Sequence, residues 1–171
     1  MGFDIYGIDP SSHKDPMESD SQGTGDYFRA NVWWWRPLWS YVTLNCSDIL
    51  TGEDMGEGNY NSGHVINRTK AFQISVRLRL LDSNGETMKY EKSYNEYLKG
   101  LPDEKCVICE GTGLRTDAIG IEQRINNPEY LCNSCGGKKT IKDFKSHYPF
   151  ESDFVMQFAE FCRESGGFEI S

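Results

Sequence analysis

Two short stretches hold the one residue pattern in this chain that could grip a metal: "CVICEGTG", beginning at Cys106, and "CNSCGGKK", beginning at Cys132. Each contains a C-x2-C pair, and 22 residues separate the pairs. A C-x2-C turn sets two sulfurs on one side of a tight loop. Two such turns supply the four thiolates that a tetrahedral zinc ion takes in structural sites. Gly111, Gly113, Gly136 and Gly137 follow the pairs, where a positive φ lets the backbone curl around an ion. Disulfides would suit an exported chain, but no basic-then-apolar signal heads this one. A thioredoxin-like redox pair needs a single C-x2-C at a helix start. The expectation is therefore one structural Zn2+ held by Cys106, Cys109, Cys132 and Cys135, closed by four sulfurs with no place for a catalytic water.

Two cysteines remain. Cys162 falls on the apolar side of an expected helix, where a small buried thiol is ordinary, and Cys46 stands alone. A cysteine nucleophile needs a base, and nothing local ties His13, His64 or His147 to a thiol. No phosphate loop, H-E-x-x-H, G-x-S-x-G or dinucleotide fingerprint occurs. The chain is expected to have no catalytic residues and not to be an enzyme.

The elements that must position the cysteines fit one domain, 1–171. It divides into a helical part at 26–103, a zinc sub-domain at 104–142 and a C-terminal helix at 150–166. Residues 10–25 are polar and loop-like. From Asp26 a helix is expected through the tryptophan block, with Pro37 breaking it before a second segment to Cys46. Four tryptophans within seven residues cannot share one helix face. They read as an aromatic hub for the core, or as an exposed patch in which Trp33, Trp34 and Trp35 anchor a partner. Residues 52–63 read as an acidic loop, with Glu53, Asp54 and Glu57 as further partner-binding candidates. Residues 71–81 alternate like a strand but also step by three and four. The tyrosine spacing that follows decides for two antiparallel helices joined near Asn84-Gly85. The inter-knuckle spacer, with Asn126, Asn127 and Pro128, looks looped. Ser152 caps a last helix whose stripe is Phe154, Phe158, Phe161 and Cys162, and Gly166-Gly167 ends it. The fold class expected is mainly α: a small helical domain with an inserted four-cysteine, zinc-ribbon-like knuckle unit.

Charge limits the partners. The net charge is −8, with −7 of it in residues 1–60, so phosphate would repel the front half and a basic protein surface would attract it. The same acids would also serve simple solubility. No apolar run reaches the roughly 18–20 residues of a membrane span. A soluble, intracellular protein is expected. Lys138, Lys139, Lys142 and Lys145 offer either a solvated face or a basic patch beside a knuckle.

The stretches "MGFDIYG", "YFRANVWWWRPLWSYV", "HYPF" and "FAEFCRESGGFEI", with the two knuckles, resemble a family of small bacteriophage and prophage proteins over nearly the whole chain. The resemblance implies a largely helical chain around the cysteine pairs, an origin in phage and a place in the cytoplasm of a bacterial host cell. Small acidic phage proteins often disable a host protein, and some anti-CRISPR proteins are metalloproteins of this size. The implied function is a zinc-stabilised inhibitor of a host defence system, an anti-CRISPR acting on Cas9 by obstructing DNA loading. Direct nucleic-acid binding and membrane association are not expected. The alternative is a zinc-knuckle nucleic-acid-binding or transcription-modulating phage protein. Separately, "CEGTG" is similar to the C-x-x-C-x-G-x-G knuckle of DnaJ-type chaperones. The second knuckle departs from it, reading C-G-G-K, and only one site's worth of cysteines is present. A chaperone role does not carry over.

Overall fold

A computed structural model of the chain describes residues 2–10 and 25–171. The loop expected at 10–25 and His13 lie almost wholly outside the described residues. The chain forms two compact units, Met1–Asn95 with Tyr148–Ser171, and Glu96–His147.

The first unit is mixed α/β, which corrects the expectation of a mainly helical chain. Strands β1 (Gly2–Gly7), β2 (Tyr27–Asn31), β3 (His64–Asn67) and β6 (Gly167–Ile170) form an antiparallel sheet in the order β2-β1-β6-β3. Phe3, Ile5, Phe28, Ala30, Ile66, Phe168 and Ile170 point to one buried face. The intervening side chains, among them Tyr6, Arg29 and Val65, stay exposed. That period-two alternation is what burying one face of a sheet requires.

Residues 27–31 therefore do not open a helix. Helix α1 is Val32–Asn45, and its cap is Asn31, whose side-chain oxygen accepts from the backbone N–H groups of Trp33 and Trp34. Pro37 lies inside α1 without ending it. Trp35, Leu38 and Trp39 around it are fully buried, and this packing outweighs the one backbone bond that proline removes.

Two of the tryptophans form the hub. Trp35 stacks between Phe3 at 5.3 Å and Trp39 at 5.4 Å, and its indole N–H donates to the Gly58 carbonyl at 2.8 Å. Trp39 donates to the Met55 carbonyl at 3.1 Å. Both acceptors belong to a segment expected as loop. It holds helix α2 (Gly52–Glu57), started by a reciprocal capping box between Thr51 and Asp54.

The helices expected on either side of Asn84-Gly85 are α3 (Arg68–Ser83) and α4 (Glu86–Gly100), with Gly85 at φ +76° in the turn. The antiparallel pairing expected between them gives way to another partner. α3 packs chiefly on α6 (Ser152–Glu164), burying Ala71, Ile74 and Leu78. Glu151, not Ser152, is the α6 cap residue, and it makes no side-chain capping bond. Ser152 instead donates to the Glu91 carboxylate through both its N–H and its hydroxyl. Among the described residues no helix is long and apolar enough to cross a membrane.

The second unit holds a two-stranded ribbon, β4 (Glu104–Lys105) against β5 (Thr140–Ile141), with helix α5 (Ala118–Asn126) and a 3-10 turn at Phe144–His147. The spacer read as a loop thus contains α5, capped by Asp117 on the Gly120 N–H. A Cβ at Gly120 would strike Arg115, which is why this helix carries a glycine that weakens it by about 1 kcal/mol.

Candidate metal centre

The four cysteines meet where the ribbon opens into the two knuckles. β4 delivers Cys106 directly, and the second knuckle runs straight into β5. The knuckles match in backbone conformation. After the second cysteine of each, the residues one, two and four places on have positive φ. These are Glu110, Gly111 and Gly113 in the first knuckle, and Gly136, Gly137 and Lys139 in the second. They also exchange hydrogen bonds. The Cys106 N–H donates to the Lys139 carbonyl at 3.0 Å, and the Cys132 N–H donates to the Gly113 carbonyl at 2.9 Å. The knuckles hold each other in register through these bonds and the ribbon.

The sulfurs follow from this frame. Cys106 Sγ lies 3.9 Å from Cys132 Sγ, and Cys109 Sγ lies 3.7 Å from Cys135 Sγ. All four lie within 4.8 Å of one another. A disulfide would need about 2.05 Å, and all the cysteines are free. A tetrahedron with metal–sulfur bonds of about 2.3 Å has edges of about 3.8 Å, so the donor set fits a tetrahedral metal ion. The sulfurs are buried, while the unit's apolar core adds only partly buried Ile141 to them.

The electrostatics differ between the knuckles: burial pushes the Cys135 thiol up to about 11, a cost that a bound cation would have to offset, while backbone amides favour the thiolate in the first knuckle. The Cys109 N–H, with that of Ile108, lowers the Cys106 thiol to about 6, and the Gly113 N–H donates to Cys109 Sγ at 3.4 Å. Four thiolates fill four tetrahedral positions, so the arrangement can staple two loops but offers no open coordination site.

The remaining candidates separate. Burial pushes the Cys46 thiol up to about 12 and the Cys162 thiol well above its ordinary value, so both stay protonated at neutral pH. His64 meets Asp54 rather than a cysteine, at 3.0 Å. Of the partner-binding candidates, Trp33 is half-buried against Tyr148 at 5.0 Å and Trp34 is half-buried against Phe154 at 5.5 Å. Trp35 is fully buried in the hub, which removes it from any partner surface. Asp54 is also withdrawn. It is 3% exposed, and its carboxylate accepts from Lys70 at 2.5 Å and from the Thr51 N–H at 2.8 Å. Glu53 is exposed and Glu57 half-exposed. Lys142 pairs with Asp103 at 2.9 Å.

A cavity in the first unit, walled by Trp34 and Phe154 beside β2, was not foreseen. Its one sequence signal is the alternation of "YFRAN" ahead of the tryptophans. Compared with protein-family models, with curated proteins and with solved structures, the chain matches none.

Proposed function

We propose that the chain is a zinc-stapled, non-catalytic binding protein of phage origin that inhibits a host defence nuclease of the Cas9 type by occupying the basic surface where DNA would load. Zinc is the metal assigned because four cysteine sulfurs at tetrahedral spacing are the donor set that structural zinc takes. The carrying observation is how charge divides between the units. The second unit's eight cationic and eight anionic side chains cancel, leaving it only the −2 of four thiolates around one Zn2+, so the −8 counted over Lys, Arg, Asp and Glu belongs to the first. A surface with that excess is drawn to a polyphosphate-binding groove and repelled by the polyphosphate itself.

The same cancellation counts against the nucleic-acid reading, since Lys138, Lys139, Lys142 and Lys145 stand in a unit with no net positive charge and Lys142 is already paired. The test is a pull-down with reconstituted Cas9–guide complex followed by a DNA-cleavage assay. Co-purification with slowed cleavage is expected; no binding and unimpeded cleavage would reject the assignment. A gel shift run across a salt series distinguishes the alternative, because nucleic-acid binding weakens steeply as salt rises.

A further inference from the structure

β2 is an edge strand, and its outward side is a built groove. The Gly7 N–H donates to the Asp26 carbonyl at 2.9 Å. With the register Ile5↔Phe28 and Phe3↔Ala30, the antiparallel alternation turns the backbone groups of Phe28 and Ala30 toward β1. Those of Tyr27 and Arg29 turn away from the sheet. Among the described residues β1 is the only strand beside β2, and no group bonds to the backbone of Tyr27 or Arg29. Along this edge runs a cavity of about 480 Å³ lined by Arg29, Asn31, Trp34, Glu151, Phe154 and Gln157. Trp34 and Phe154 are its aromatic walls. Glu151 is exposed; its carbonyl accepts from the Val155 N–H at 3.3 Å, but its side chain makes no bond to the α6 terminus it precedes.

We infer that the β2 edge is a strand-addition site for an extended basic segment of a partner protein, with alternate cationic side chains entering the Trp34–Phe154–Glu151 groove. Rows of unpaired N–H and C=O groups template a further strand, and pockets for alternate side chains supply selectivity. An arginine or lysine stem lies well on aromatic faces, with its charge directed at a carboxylate. Arg29 borders the groove at the strand itself, and the alternation turns its side chain to the opposite face, where the guanidinium pairs with Asp4 at 3.8 Å, so uncharged residues belong there. A second copy of the chain is disfavoured as occupant. Two-fold pairing of β2 centred on Arg29 would set that guanidinium against its own symmetry mate, and like charges directly opposite destabilise a sheet. This inference rests on the protein-binding reading above and deepens it by naming the contact surface.

The probe is an acetylated, amidated (Val-Arg)3 peptide added to the full-length, metal-loaded protein, with (Val-Glu)3 as control. Amide exchange by NMR should slow at Tyr27 and Arg29 with the basic peptide only, leaving Phe28 and Ala30 little changed. N-methylating one alternating set of peptide amides should weaken binding about tenfold, while the other set is tolerated. Trp34→Ala should weaken it several-fold. Equal effects of the two methylated sets, equal binding of the acidic peptide, or protection at Tyr27 and Arg29 arising from self-association without peptide would overturn the inference. If Trp34→Ala loses the peptide yet still inhibits the nuclease fully, the edge is not the contact, but the inhibitor reading stands. If the peptide binds as described and the nuclease is unaffected, the edge site stands and the choice of target falls.

Discussion

Lys139 holds, at φ +71°, the place that Gly113 holds at φ +84° in the other knuckle. A left-handed backbone costs a residue with a Cβ roughly 1–2 kcal/mol, so Lys139→Gly should raise the melting temperature of the metal-loaded second unit by a few degrees in a calorimetric scan. The reverse change is not tolerated. A Cβ at Gly113 would lie 2.9 Å from the Gly137 carbonyl oxygen, so Gly113→Ala should lower metal affinity in a chelator competition. Cys132→Ser leaves three thiolates and should abolish stoichiometric metal, unfolding Glu96–His147 while the first unit's sheet amides stay protected. Structural zinc contributes on the order of 10 kcal/mol in peptides, and the second unit has little apolar core to replace it. Asp54 is the buried charge of the first unit. Burial alone would raise its carboxyl, but the Lys70 ammonium, the Thr51 N–H and the His64 ring outweigh that and hold it well below the carboxylate range. A depressed carboxyl contributes stability above its unfolded pKa of about 3.9 and loses it as pH falls through the folded value. Asp54→Asn should thus cost about 3–5 kcal/mol at neutral pH and flatten the loss of stability below about pH 4, read from urea midpoints across a pH series.

Elements differ in how far local sequence reports them. The knuckles were legible because metal ligation fixes spacing, and the helices at Arg68–Ser83 and Ser152–Glu164 because each buries one face at helical steps. The sheet was not. β1, β3 and β6 are six, four and four residues long and take partners from distant parts of the chain, so no short window contains the reason for them. β2 reads as part of the following helix because its alternation of five residues ends directly in the tryptophan block, with Asn31 both its last residue and the helix cap. α2 does carry a local signal, the Thr51-to-Asp54 capping-box spacing. Thr51→Ala should cost about 1 kcal/mol and loosen α2, measured as faster exchange of the Asp54 and Met55 amides. Pro37 misled because proline reports only the lost backbone bond, not the burial of Trp35 and Trp39 that outweighs it. The buried Trp35 and Asp54 were offered as partner contacts because residue type carries no information about which side of a helix the core lies on.

At the scale of the molecule, charge and metal are divided between the units. The first carries the −8 of the Lys, Arg, Asp and Glu side chains and the β2 edge; the second carries the four sulfurs, and its Lys, Arg, Asp and Glu side chains cancel. An electrostatically drawn partner should therefore associate more slowly as salt rises, with dissociation less affected. Stopped-flow association with the Cas9–guide complex at two ionic strengths measures this. The central claim is that the metal is scaffolding for the second unit and takes no part in chemistry. X-ray absorption at the zinc edge of the as-purified protein tests it most directly. The account predicts four sulfur neighbours at about 2.3 Å and no nitrogen or oxygen ligand. A coordinated light atom, signifying an open site, or the absence of bound zinc would contradict it.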